Sequence, residues 1–242
     1  MYQPRTYRIS TKSDDLVSFN VVIKETDLFI SATRNLEAEA RESIIRHRQP
    51  LEEYIGSHPL FLHSLEPYVV EGDAPEIVRE MAQVAKKVGV GPMAAVAGAI
   101  AEYVGRDLLA YSTETIVENG GDIFVRVLKT RLIGVYAGES CFTGKIALEI
   151  EPEKTPLGIC TSSGTVGPSL SLGSADAVIA ISHSTALADA AATAIGNRVM
   201  AAGDIDTIIK QVEAMPELLG VVIIKDDRMG VWGDVKLVTL GA

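Results

Sequence analysis

Two oxygen-bearing side chains, Asp189 and Thr193, stand four positions apart in the segment Ala180 to Gly196, AISHSTALADAAATAIG. The segment reads as a strand running into a helix made almost wholly of small residues. On a helix, positions i and i+4 share one face, roughly 5–6 Å apart at Cβ. A carboxylate and a hydroxyl on a face shaved to alanine suit a hard cation such as Mg2+, which takes oxygen ligands and leaves room for substrate phosphates. The competing reading is a close-packed alanine helix with a capping serine and a solvated aspartate.

Other stretches carry chemistry of their own. In Val117-Glu118-Asn119-Gly120-Gly121-Asp122-Ile123 a strand breaks at two glycines and resumes after an aspartate. Paired glycines let backbone N–H groups approach a ligand; an Asn-Gly hairpin turn has the same pattern. Cys160-Thr161-Ser162-Ser163-Gly164-Thr165 places hydroxyls at a strand end before a glycine, either as phosphate contacts or as a polar loop. Gly89 to Gly98 resembles a glycine loop opening a helix, where a phosphate could sit, but it lacks the Walker lysine and the dinucleotide spacing. No base accompanies a serine nucleophile. His183 reads as a structural donor before the small-residue helix, and His58 and His63 as a pair with no third ligand. Cys141 falls in a probable loop and Cys160 in a strand, in no metal-ligand spacing; buried or inert cysteine is the base expectation for both.

Composition sets the frame. The chain has 242 residues and a formal net charge of −10, which argues against nucleic acid and anionic membranes as partners. Apolar residues make up 47% and aromatics only 5%, so the core must come from Ala, Val, Ile and Leu. No stretch approaches the roughly 18 apolar residues of a membrane span. With no export signal at its start and two unpaired-looking cysteines, the chain reads as cytoplasmic. Its expected partner is a small molecule, with homodimer as the default assembly.

The elements that must position these residues alternate along the chain. Strands are expected over Arg5 to Thr11, Ser18 to Lys24 and Asp27 to Ala32, then a charged helix over Asn35 to Ile55. His58 to Pro67 reads as a proline-bounded loop. A helix follows, with Asp73 as N-cap, a buried stripe of Ile77, Met81, Val84 and Val88, and Gly89 as its stop. Met93 to Gly105 forms a second, Ala- and Gly-rich helix. Strands then dominate: Thr115 to Glu118, Asp122 to Leu128, Arg131 to Ala137, Lys145 to Ile150, Gly158 to Ser162 and Ala175 to Ser182. After the small-residue helix come a helix over Asp204 to Ala214 and strands at Val221 to Lys225, Gly230 to Trp232 and Val235 to Leu240. The whole reads as one domain, 1–242. An echo between Ala95 to Ile100 and Ala191 to Ile195 suggests two halves, about 1–110 and 111–242, or a coincidence in an alanine-rich chain.

Taken in order, these pieces resemble the ApbE superfamily, flavin transferases that attach FMN from FAD to a protein threonine using Mg2+. The carriers are Met93 to Gly98, Asn119 to Ile123, Thr161 to Gly164 and Ser184 to Ala194. The resemblance implies an α+β fold of mainly antiparallel sheets with packed helices in two interlocked halves. It implies Mg2+ on Asp189, Thr193 and a backbone carbonyl near Ala95 to Ala97, with ligand phosphates completing the shell. It also implies FAD or a related nucleotide against Gly120, Gly121 and Asp122, with Ala97, Gly98, Thr161, Ser162, Ser163 and Gly164 around it. No catalytic residue is assigned. Gly98 stands where the transferases have a lysine, and no histidine lies between Gly164 and Ala175, which argues against flavin transfer itself. The N-terminal third, with Arg48, Tyr54, His58, Pro59, Phe61 and Pro67, is similar to a cytoplasmic, largely uncharacterised ApbE-like branch of anaerobic microbes linked to sulfur assimilation into homocysteine. The alternatives to a Mg2+-dependent enzyme are thus a sulfur-assimilation factor and a non-catalytic binder with an eroded pocket.

Overall fold

The short β-branched runs form eleven strands in the computed structural model, which describes residues 15–166, 171–215 and 217–241. They are β1 (Val17–Ile23), β2 (Thr26–Ala32), β3 (Thr115–Asn119), β4 (Asp122–Arg126), β5 (Arg131–Gly134), β6 (Ile146–Ile150), β7 (Leu157–Ser162), β8 (Ala177–Ser182), β9 (Leu218–Lys225), β10 (Arg228–Gly233) and β11 (Leu237–Thr239). The helices are α1 (Glu37–Ser57), α2 (Pro59–His63), α3 (Glu76–Val88), α4 (Val96–Leu108), α5 (Thr185–Gly196) and α6 (Ile205–Val212). The strand expected over Arg5 to Thr11 lies outside the described residues.

Eight strands form one sheet in the order β1-β2-β3-β4-β7-β8-β9-β10, and three form a second in the order β11-β6-β5. Every pairing in both is antiparallel. This is the mixed, mainly antiparallel α+β architecture that the sequence led us to expect.

Side chains alternate across a strand, and here both faces of the large sheet are covered. Val117, Phe124, Cys160, Val178, Ala180 and Val221 point to the helices. Ile116, Ile123, Ile159, Ile179 and Val222 point to a second core that includes Ile133 and Leu148 of the small sheet. Burial on both faces explains the near-continuous apolar runs of β8 and β9.

Small residues let α4 and α5 approach the sheet and each other. A Cβ on Gly158 of β7 would lie 2.3 Å from the Thr185 Cα, and one on Gly98 of α4 would lie 2.4 Å from the Thr185 carbonyl oxygen. The start of α5 is held at two points. The Ser184 hydroxyl accepts the Leu187 N–H at 3.2 Å, the capping role expected of a serine here. The buried Glu102 carboxylate of α4 accepts the Thr185 N–H at 2.6 Å and pairs with Arg106 at 2.6 Å. Negative charge is favoured at that end of a helix.

Some boundaries differ from the sequence reading. Asp73 is not a cap: Pro75, in extended conformation, immediately precedes α3. The proline-bounded stretch after His58 is not all loop, since Pro59 supplies the first turn of α2. The helix expected from Met93 opens as a 3-10 turn over Pro92–Ala95 before α4 begins. Gly89 does stop α3, in the left-handed conformation at φ 77°. Among the described residues, no single helix is long and apolar enough to cross a membrane.

Gly158→Ala should therefore lower unfolding stability by roughly 1–3 kcal/mol, as overpacking does. Gly72→Ala, where an added Cβ meets nothing within 4 Å, should stay within about 0.5 kcal/mol of the parent. Urea unfolding of both variants checks the contrast.

Candidate functional site

The β3–β4 turn, the start of α4, the middle of β7 and the body of α5 meet on the helix-facing side of the large sheet. The turn depends on Gly120 and Gly121, at φ 70° and 108°, which side-chain-bearing residues rarely adopt. It brings Asn119 and Asp122 opposite each other, so both side chains share one face. The Asn119 Nδ2 donates to the Ala97 carbonyl at 3.1 Å. The neighbouring Gly98 N–H donates to the Asp189 Oδ2 at 2.8 Å. This joins the turn, α4 and α5 through two hydrogen bonds.

Cys160 closes the arrangement from below. It lies opposite Asp122 in the β4–β7 ladder, close enough to that carboxyl to favour its charged form, and its thiol donates to the Thr185 carbonyl at 3.3 Å. The Thr161 N–H also donates to Asp122. Asp122 is 7% exposed, and its Oδ1 has no hydrogen-bond partner among the described residues.

The other expected residues are distributed around this cluster. Thr193 lies one turn beyond Asp189 on α5, partly exposed as Asp189 is. Ser162 returns to the helix side of β7, 3.5 Å from where a Cβ on Gly196 would be. Thr161 alternates with Cys160 and so shares the face of Ile159, the one turned to the small sheet; its carbonyl lies 3.8 Å from where a Cβ on Gly121 would be. Ser163 and Gly164 have left the strand. The Ser163 hydroxyl accepts the N–H groups of Thr165 and Val166 at 3.1 and 2.9 Å, closing its own loop. The structure thus brings Ala97, Gly98, Asp122 and Asp189 together, places Gly120 and Gly121 at the adjoining turn, and leaves Thr161 and Ser163 turned to other duties.

None of these residues carries a positive charge, and the electrostatics reflect that. Burial, with the nearby Glu118 charge, pushes the Asp122 carboxyl up to about 7, against the Cys160 thiol and the Thr161 N–H, which lower it. Asp189 keeps some accessible surface, but its carboxylate is enclosed. Burial and the Asp122 charge push it well above the carboxylate range, while the Gly98 and Ala97 N–H groups pull the other way. Burial and the same two carboxylates push the Cys160 thiol up, so it is a donor and not a reactive thiolate. Cys141 is exposed and unpaired.

The donor set fits a hard cation. Asp189 and Thr193 offer oxygen one turn apart on α5, the Ala97 carbonyl stands one residue from the Gly98 contact, and the buried Asp122 Oδ1 lacks a partner among the described residues. No group of three His, Cys, Asp or Glu side chains gathers as a ready-made cage among the described residues. A few protein ligands plus water and phosphate is the usual Mg2+ pattern. Asn119, Cys160 and Glu102 lie outside the site residues expected from sequence. Asn119 was within reach, because a two-glycine turn makes the residues flanking it cross-strand partners. Cys160 and Glu102 were not, because their roles come from strand register and helix packing. His183 is a structural donor as expected, its Nδ1 3.3 Å from the Pro156 carbonyl. His58 stacks on Tyr54 with ring centroids 4.1 Å apart.

The fold is that of the ApbE flavin transferases. A mutant form of the flavin transferase ApbE from Vibrio cholerae superposes with a TM-score of 0.58 at 14% identity, covering 90% of this chain and 96% of that one. The ApbE protein of Thermotoga maritima gives 0.55 at 12% identity, covering 86% and 94%. The sequence model of the family described as AbpE bacteria matches residues 8–216, and the chain belongs to that family. Among its relatives, the UPF0280 protein of Methanosarcina barkeri is 42% identical over 220 residues, 90% of this chain and 87% of the relative. That of Methanocaldococcus jannaschii is 41% identical over 234 residues, 91% and 95%.

A pH dependence follows from the enclosed acids. The native Asp122 carboxyl holds its proton up to about pH 7, whereas an unfolded aspartate loses it near pH 4. Between those values the unfolded chain binds fewer protons, so stability falls as pH rises. In EDTA, urea unfolding should show lower stability at pH 8 than at pH 5, and Asp122→Asn should flatten that slope.

Proposed function

We propose that this chain binds a phosphorylated small molecule of the flavin-nucleotide type through Mg2+, in the site between the β3–β4 turn, α4 and α5. The observation that carries the reading is the Gly98 N–H held on the Asp189 carboxylate at 2.8 Å beside the Ala97 carbonyl. That contact fixes the α5 carboxylate at the first turn of α4, one residue from the Ala97 carbonyl that accepts Asn119 of the β3–β4 turn. Asp189, Thr193 and a backbone carbonyl near Ala95 to Ala97 would hold the cation, and phosphate oxygens would complete its shell. The cation would supply charge neutralisation and a template for the phosphates. The open backbone at Gly120 and Gly121, with Ser162, would receive the rest of the ligand.

The reading favours binding over flavin transfer. At Gly98, where the transferases have a lysine by the resemblance above, an added Cβ would lie 2.4 Å from the Thr185 carbonyl and 2.7 Å from the Asp189 Cβ. No side chain fits there without moving α5. A ligand held without transfer is the role that this closure supports. A thiol function in sulfur assimilation would fall to Cys141, the exposed cysteine, and not to the buried Cys160.

Calorimetry with FAD tests the proposal. Binding should require Mg2+, vanish in EDTA, and weaken at least about tenfold in Asp189→Ala, the scale on which even supporting residues of a metal site act. FAD binding that is indifferent to both EDTA and Asp189→Ala would overturn it.

A further inference from the structure

We propose that Asp122 is a second carboxylate ligand of this cation site, so that a divalent cation binds the chain before, and without, any phosphorylated ligand. The inference rests on the cation site proposed above and adds a residue that the family resemblance assigns instead to the nucleotide.

The contacts around the site close on themselves. From Asp122 the thiol of Cys160 leads to the Thr185 carbonyl on α5. One turn along that helix stands Asp189, whose carboxylate is held by the Gly98 N–H. The adjoining Ala97 carbonyl is held by Asn119, and Asn119 is the cross-strand partner of Asp122. Two carboxylates therefore stand in one closed ring of contacts drawn from β3, β4, β7, α4 and α5.

Two side-chain atoms of the ring residues lack a partner among the described residues, the Thr185 Oγ1 and the Asp122 Oδ1, both on side chains more than nine-tenths buried, and only the second belongs to a group that can carry charge. An ionised carboxylate only accepts, so a hydrogen-bond donor or a cation must satisfy it. No member of the ring is cationic, so a charge on either carboxyl has no counterion inside the ring. A divalent cation answers both carboxylates at once and inverts their mutual repulsion. Without the cation, the ring offers a phosphate no positive charge. The chemistry sets an order: cation first, phosphorylated ligand onto the loaded site.

Mn2+ titrated into the nucleotide-free chain, with free Mn2+ followed by electron paramagnetic resonance, tests this. The parent chain should take up one Mn2+. Asp122→Asn and Asp189→Asn should each weaken uptake at least about tenfold. At pH 8, above the range in which Asp122 holds its proton, Asp122→Asn keeps the shape of the side chain and removes its buried charge, so its metal-free Tm should equal or exceed the parent's. Mg2+ should raise the Tm of the parent but not that of the variant. No Mn2+ uptake by the nucleotide-free parent, or uptake unchanged in Asp122→Asn, would overturn the inference. If Mn2+ binds only together with FAD, while FAD binding still falls in Asp189→Ala, the ligand reading stands and this inference alone fails.

Discussion

The hydrogen bond from the Gly98 N–H to the Asp189 carboxylate is the contact on which the rest of the site depends. It exists only because α4 and α5 approach closely enough for a backbone amide of one to reach a side chain of the other. That approach requires glycine at position 98, where any Cβ would collide with the Thr185 carbonyl. It also requires Gly158 beneath the first turn of α5, and Glu102 accepting the Thr185 N–H to hold that turn in place. The alanines of α5 serve the same end. They give a surface that can lie flat on β7 and β8, from which one carboxylate is presented to the neighbouring helix.

Enclosing acids without a matching base is costly, and proteins seldom do it without a purpose. Burial makes both Asp122 and Asp189 reluctant to ionise, the Asp122 charge adds to this at Asp189, and the thiol of Cys160 is kept protonated beside them. The carboxylates elsewhere in the structure are treated differently. The buried Glu114 is paired with Arg131 at 2.9 Å, and Asp107 collects Ser43, Arg46 and His47. The contrast sets the α4–α5 cluster apart as a place where two enclosed carboxyls have no cationic side chain among their named contacts.

The relation to the flavin transferases is one of architecture. At 12–14% identity the overall fold persists, because a large antiparallel sheet buried on both faces constrains its partners strongly. What the site does is set by fewer atoms. A glycine that admits no side chain at position 98 changes what can stand beside Asp189, while the scaffold around it is kept.

Much of this was legible in the sequence. The spacing of Asp189 and Thr193 in a run of alanines, the two glycines before Asp122 and the alternation of short apolar runs are local patterns. Local patterns decide helix faces, turn geometry and strand existence, which is why α5, the β3–β4 turn and the antiparallel α+β class could be read in advance. Boundaries that depend on a single residue's conformation were less accessible, as Pro75 in place of Asp73 at the start of α3 shows. Only the tertiary structure decided that Cys160 faces Asp122, that Thr161 turns to the opposite core, and that Glu102 and Gly98 reach α5. Those facts follow from the register between strands distant in sequence and from how nearly two helices can touch, and such quantities are properties of the packed chain that no single segment contains.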